Sequence, residues 1–398
     1  METSPSSLRP EGVTDLVPRL ALCGNVFPGD TMGSVFSALD GPAREFAEQL
    51  RSQGWLQPVG FGLYLSDCAV SELARTPSKQ MRLLKCLADA GLEPWTANAF
   101  PFGGFHSASV KEAAFMPDWR DSRRPSFTCR VAEALTGLLM PGDRGSVSSC
   151  PLGYGPDARR SQKSLDYLRR AQAGLLRLEE RTGVRLTLGL EPEPDGSFER
   201  VSDLADWLAT QLYIETPIAD RRVGVCWDLC HSAVVGESPE EALAALAKHG
   251  IPLSKVQISS ALSLEGGINP EQMLRLEELC ADPWLHQVRG TLSDGRPFAY
   301  SDLPRLLENQ AVVEAIDTLR VHCHVPVHQT DFGDGLTGTP WREAVTLAHQ
   351  AGCLDFELET YTLSALPPAY LERGGLIGTM TAEMLVCGAA LWPESPAV

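Results

Sequence analysis

The chain has 398 residues, 43% of them hydrophobic, and carries 51 acidic against 34 basic side chains, a formal net charge of −17. That length and apolar content support one large domain or two modest ones and exclude global disorder. So acidic a chain argues against a general binder of phosphate backbones, and no apolar stretch reaches the roughly 18 residues that a membrane span needs. Neither nucleic acid nor a membrane-spanning role is therefore expected.

Residues 1–16, rich in Ser, Pro and Glu, read as a flexible tail ahead of a single domain over 17–398. No apolar run follows a basic start, and the 11 cysteines contain no CxxC pair. The expectation is a cytoplasmic protein with reduced thiols. Nine short apolar runs follow in order: LALCGNV (20–26), VGFGLYLS (59–66), EPWTANAFP (93–101), GSVSSCPL (145–152), RLTLGLEPEP (185–194), VGVCWDLCH (223–231), SKVQISSAL (254–262), RVHCHVPV (320–327) and DFELETYT (355–362). Helical patterns separate them, as in 161–181 with leucines at 165, 168, 175, 176 and 178. Strands alternating with helices imply βαβ units and a parallel sheet, and this number of runs points to a (β/α)8 TIM barrel. A doubly wound sheet is the alternative, but no GxGxxG follows the first strand. The apolar stretch 379–392 reads as a packed terminal helix.

Within the runs, apolar and polar residues take opposite parities. Leu186, Leu188 and Leu190 oppose Thr187, Gly189 and Glu191; Val225 and Trp227 oppose Cys226 and Asp228. Val256 and Ile258 oppose Gln257 and Ser259, and Phe356 and Leu358 oppose Glu357 and Glu359. Barrel strands show one face to the helices and the other to the axis, and active sites gather at the strands' C-terminal ends. Glu191, Asp228, Gln257 and Glu359 thus converge as oxygen ligands for a hard divalent cation, Mn²⁺ or Mg²⁺. Unpaired carboxylates crowded at a barrel mouth would otherwise repel one another. Glu359 lies 102 residues beyond Gln257, so 262–340 must hold an insertion before the last strand. His322 and His324 fall in that excursion, read as passing over the barrel mouth.

His231 follows Asp228 by three residues, which sets an imidazole beside the carboxylate. Glu193 follows Glu191 by two and points the same way if the strand persists past Pro192. It is read as a substrate contact, as are His322 and His324. With His328 they also raise zinc as the alternative metal, since zinc favours nitrogen. The segment NAFPFGGFHSASVKEAAFMPDW (98–119) pairs flexible glycines with four phenylalanines that offer an apolar wall, and it brings His106 and Lys111 as further substrate contacts.

The stretches CGNVFPGDT, NAFPFGGFH, VKEAAFMPDW, LGLEPEP, VGVCWDLCH, KVQISSAL, HCHVPV and ELETYT, spanning about 20–363, resemble the metabolite traffic protein EboE family within the xylose isomerase-like barrel superfamily. The resemblance implies a TIM barrel of that type with one metal on Glu191, Asp228, Gln257 and Glu359. It makes His231 either a substrate contact or a ligand of a further metal. Gln257 is similar to the hydroxypyruvate isomerase pattern and departs from the histidine of the apurinic-site endonucleases. His322-x-His324 stands where those endonucleases carry Asp-x-His. The expected activity is isomerisation or epimerisation of a sugar-like or cyclitol-like metabolite, with Glu191, Glu359 and His231 catalytic. The alternatives are a metal-dependent phosphoester hydrolase and a non-catalytic metabolite-binding barrel.

Overall fold

The computed structural model describes residues 17–106, 110–280, 284, 286–364 and 370–393. The expected tail at 1–16 lies outside the described residues.

Eight strands close into a parallel barrel: β1 (Arg19–Cys23), β2 (Val59–Tyr64), β3 (Leu92–Asn98), β4 (Arg144–Ser149), β5 (Arg185–Leu190), β6 (Val223–Asp228), β7 (Leu253–Ile258) and the last, Asp355–Leu358, which pairs with both β7 and β1. Helices follow the strands around the outside, so the fold is a (β/α)8 TIM barrel. The period-two pattern explains the two layers. Leu20, Leu22, Phe61, Leu63, Val147, Leu186, Leu188, Val225, Trp227, Val256, Phe356 and Leu358 join the large apolar core beneath the helices. Residues of the other parity are small or polar and fill the barrel itself. Thr96 and Ser146 bond at 2.8 Å, and Lys255 pairs with Glu357, both fully buried. Gly62 is required there, because a Cβ would stand 1.7 Å from Glu357 Oε1. The barrel interior is thus a packed polar column with the site above it.

Eight of the nine apolar runs are barrel strands. The ninth, 320–327, belongs to the insertion. After β7 the chain turns at Ser259 and Ser260 into β8 (Ala261–Glu265), and β9 (Val288–Leu292), β10 (Pro297–Tyr300), β11 (Ile316–His324) and β12 (Thr337–Gly338) complete an antiparallel sheet in the order β10-β9-β11-β8-β12. The barrel's closing strand is hence β13 (Asp355–Leu358). The register between β11 and β8 shifts between Val321 and His324, an irregularity of the kind that re-aims side chains. The terminal helix is Gly375–Leu391, starting four residues before the expected 379. No helix of the described residues is long and apolar enough to cross a membrane.

Candidate active site

Glu191 leaves the end of β5, Asp228 ends β6 and Glu359 follows β13. All three are buried, and one oxygen of each lies within 4.8 Å of the others. Asp228 also caps the helix Leu229–Val235: its Oδ1 accepts from the His231 backbone N–H at 2.8 Å and from Ser259 Oγ at 2.9 Å. That fixes the carboxylate and leaves Oδ2 with no partner. Glu191 Oε2 has none either. Glu359 Oε1 accepts from Asn25 Nδ2 at 2.6 Å and from Asn98 Nδ2 at 3.4 Å. Burial, then the neighbouring carboxylates, hold Glu191 and Glu359 well above the usual carboxylate range. Lys255, the nearest buried cation, is already paired with Glu357 one layer deeper. The donor set is all oxygen, it carries unpartnered buried atoms, and its charge lacks compensation. Those properties suit a hard divalent cation.

Gln257 lies in register with both Asp228 and Glu357. Its Oε1 accepts from the Cys226 thiol at 3.0 Å, and its Nε2 has no partner.

A second group of side chains sits beside the carboxylates. His231 Nδ1 meets the Pro192 carbonyl at 3.0 Å, and its Nε2 stands 3.1 Å from His322 Nε2. His322 Nδ1 meets Gln287 Oε1 at 2.6 Å, and His324 Nδ1 meets the Glu359 carbonyl at 2.9 Å. Burial lowers His231 to about 4, with Asp228 only partly offsetting it, and holds His322 well below the ordinary imidazole value. Glu193 is buried nearby and pushed up to about 8 by desolvation. The two prolines after Glu191 and Glu193 therefore do more than stiffen a turn. Their carbonyls orient His231 and, through Gln287 Nε2 at 2.9 Å from Pro194 O, His322.

Glu191, Glu193, Glu359, His231 and His322 line an open pocket of about 560 Å³, solvent at its mouth included, whose walls include Phe100, Phe105, Phe115, Trp284 and Tyr361. Glu193, His231 and His322 line it, and His324, also read as a substrate contact, does not. His106 does not: its ring packs against Tyr64 and Phe105, with centroids 6.2 and 5.4 Å away. Lys111 opens a short 3-10 turn, and its side chain lies outside the described ones. His328 pairs with Glu372 at 3.2 Å instead of joining the other histidines. Sequence reading did not single out Asn25, Asn98, Ser259 or Gln287. The first three had a signal, since they stand at strand ends like the carboxylates; Gln287 had none.

No family model matches the chain, and no curated protein does. Among solved structures, an inferred sugar phosphate isomerase/epimerase from Anabaena variabilis aligns over 95% of this chain and 99% of its own, at 11% identity and a TM-score of 0.51. An L-ribulose 3-epimerase aligns over 95% of both chains at 13% identity and a TM-score of 0.47. A xylose isomerase domain containing protein from Salmonella typhimurium aligns over 93% of this chain and 95% of its own, at 12% identity and a TM-score of 0.42. At such identities the likeness is one of fold, the (β/α)8 TIM barrel.

Proposed function

We propose that this protein is a divalent-metal-dependent isomerase or epimerase of a sugar-type or cyclitol-type polyol, serving the small-metabolite metabolism that the EboE-like motifs suggest. The observation that carries the reading is the buried trio Glu191, Asp228 and Glu359, delivered by three strand ends to within 4.8 Å, with Glu191 Oε2 and Asp228 Oδ2 unpartnered. Mn²⁺ or Mg²⁺ fits that oxygen set, with Gln257 beside it as the remaining expected ligand. Bound there, such an ion polarises a hydroxycarbonyl substrate and acidifies its α-proton. The chain's own groups supply the proton traffic. Glu191 and Glu359 are the groups placed to take and return the α-proton, and burial beside other carboxylates makes both hold protons more tightly than ordinary carboxylates while no cation compensates them. Asn25 and Asn98 fix Glu359 in place, while His231 and Glu193 offer hydrogen bonds to substrate hydroxyls. The aromatic wall of Phe105, Trp284 and Tyr361 keeps water from the reacting carbon.

The test is to incubate the Mn²⁺-loaded protein in D₂O with a panel of ketoses and inosose-like cyclitols and follow the α-proton by NMR. Solvent deuterium should enter the α-carbon of at least one compound that binds. Binding without exchange across the panel would favour the non-catalytic barrel.

A further inference from the structure

Glu383 is the one charged residue of the terminal helix Gly375–Leu391, and the helix buries it fully, along with Met380, Met384 and Cys387. Its Oε1 accepts two hydrogen bonds, from the Val327 backbone N–H at 2.9 Å and from the Thr360 hydroxyl at 2.8 Å. Oε2 has no partner among the described residues. A carboxylate buried with one oxygen unsatisfied destabilises a packed helix face that an apolar side chain of the same size would fill without that cost. What the carboxylate does is hold two segments of the site. Val327 lies three residues beyond His324, and Thr360 directly follows Glu359. These segments are also bonded to each other: His324 Nδ1 donates to the Glu359 carbonyl at 2.9 Å, and the Thr362 hydroxyl donates to the His324 carbonyl at 2.5 Å. Glu383 Oε1 closes the pair into a ring from the side of the terminal helix. Glu359 stands just past the end of β13, where its N–H makes a last bond to the neighbouring strand, to the Ile258 carbonyl at 3.1 Å. Beyond that bond the backbone that carries the carboxylate is set by side chains and not by the sheet.

We infer that Glu383 is a positioning residue of the active site, which fixes, through Thr360 and Val327, the backbone from which Glu359 and His324 project. It acts from outside the pocket, whose lining does not include it. What the placement accomplishes rests on the isomerase reading, in which the Glu359 carboxylate both holds the metal and moves the α-proton. A displacement of about 1 Å in such a group costs on the order of a hundredfold in rate. The accepting oxygen is the part of Glu383 that matters, so the amide of glutamine serves in its place. Methionine fills the same volume and leaves the Val327 N–H and the Thr360 hydroxyl without their acceptor.

The experiment compares the wild type, Glu383→Met, Glu383→Gln and Thr360→Val by three measurements, with denaturant unfolding as the separate measure of stability. Calorimetric titration with Mn²⁺ should show binding about 10–100-fold weaker in Glu383→Met and close to wild type in Glu383→Gln. Deuterium exchange into the substrate, at saturating Mn²⁺ and substrate, should fall by about a hundredfold in Glu383→Met with little change in KM, and hold in Glu383→Gln. In metal-free, ¹⁵N-histidine-labelled protein, the His324 Nδ1 proton, identified by its loss in His324→Gln, should be protected in the wild type and in Glu383→Gln and exchange rapidly in Glu383→Met. Thr360→Val should show part of each loss, and adding it to Glu383→Met should add little, since both remove one bond; it carries the comparison alone if Glu383→Met does not fold. A folded Glu383→Met with wild-type Mn²⁺ affinity and a protected His324 proton overturns the inference, even if its stability has dropped, because Glu383 then only ties the helix down. Glu383→Gln as impaired as Glu383→Met overturns it as well. A wild type that exchanges no candidate substrate sinks the isomerase reading alone, and the Mn²⁺ affinities and the His324 proton still decide the role of Glu383.

Discussion

Asn25 donates its side-chain amide to Glu359 Oε1 at 2.6 Å, joining residues 334 apart in sequence at the seam where the first and last barrel strands meet. The bond favours the ionised carboxylate, and a hydrogen bond to a charged group is worth about 1.5–3 kcal/mol. Asn25→Ala should leave the fold intact and weaken Mn²⁺ binding by roughly 10–100-fold, the usual range for removing a group that orients a metal ligand. Calorimetric titration of both proteins at neutral pH measures this. Equal affinities would detach Asn25 from the site.

The buried titratable groups set a pH dependence whose sign can be worked out. Glu191 and Glu359 bind protons more tightly folded than unfolded, and Glu193 and Glu383 are raised to about 8 and about 7. Their contribution is fully present below the ordinary carboxylate value and is lost as pH rises through the folded values. His231, lowered from 6.5 to about 4, behaves oppositely: its contribution is present above 6.5 and lost as pH falls through about 4. Between pH 6.5 and 8 the carboxylates dominate, so the metal-free protein should lose stability with rising pH, by up to about 1.4 kcal/mol per pH unit for each proton released. Mn²⁺ should suppress that slope by replacing the protons. Melting temperatures in chelator and in Mn²⁺ across this range test it, and a flat curve in chelator would contradict the protonated carboxylates.

Parity along short apolar runs made the barrel strands and three of the site carboxylates legible, because a strand buried on both faces still separates helix-facing from axis-facing residues. The spacing between Gln257 and Glu359 revealed an insertion, but not that it folds as an antiparallel sheet. β9, β10 and β12 are short and half-exposed, with no sustained alternation, so only β11 left a trace, as the run 320–327. The Gln287 role depends on contacts to Pro194 and His322, 93 and 35 residues away. Nothing in its local sequence marks it. Gln257 followed the parity rule, while its contact with the Cys226 thiol on the neighbouring strand comes from packing in the barrel interior that a one-dimensional pattern does not record.

The Lys255–Glu357 pair is fully buried beneath the site. Lys255→Met leaves Glu357 as an uncompensated charge and should cost about 3–5 kcal/mol. The double variant Lys255→Met/Glu357→Leu should recover much of that loss, since apolar replacements of both partners leave no buried charge. Denaturant unfolding of the wild type, the single variant and the double variant measures the difference. A double variant as unstable as the single one would show that steric crowding near Gly62, and not the orphaned charge, sets the cost.

Glu359→Gln separates proton transfer from metal holding. The substitution keeps the side chain's size and preserves a carbonyl oxygen to accept from Asn25, while removing the group that takes a proton. Glu191 follows β5 and Glu359 follows β13, with β6 and β7 between those strands in the barrel, so the two approach the reacting carbon from different sides. If Glu359 returns or removes the α-proton, solvent deuterium incorporation should fall by at least about a hundredfold in Glu359→Gln, the scale of losing a general base. Metal loss alone would give the same fall, so the measurement is made at Mn²⁺ concentrations that calorimetry shows to be saturating for the variant. Glu191→Gln under the same conditions should show its own loss, with the two effects failing to add if both residues act on one proton-transfer sequence. Exchange at the wild-type rate in metal-saturated Glu359→Gln would remove Glu359 from the chemistry and leave it a ligand.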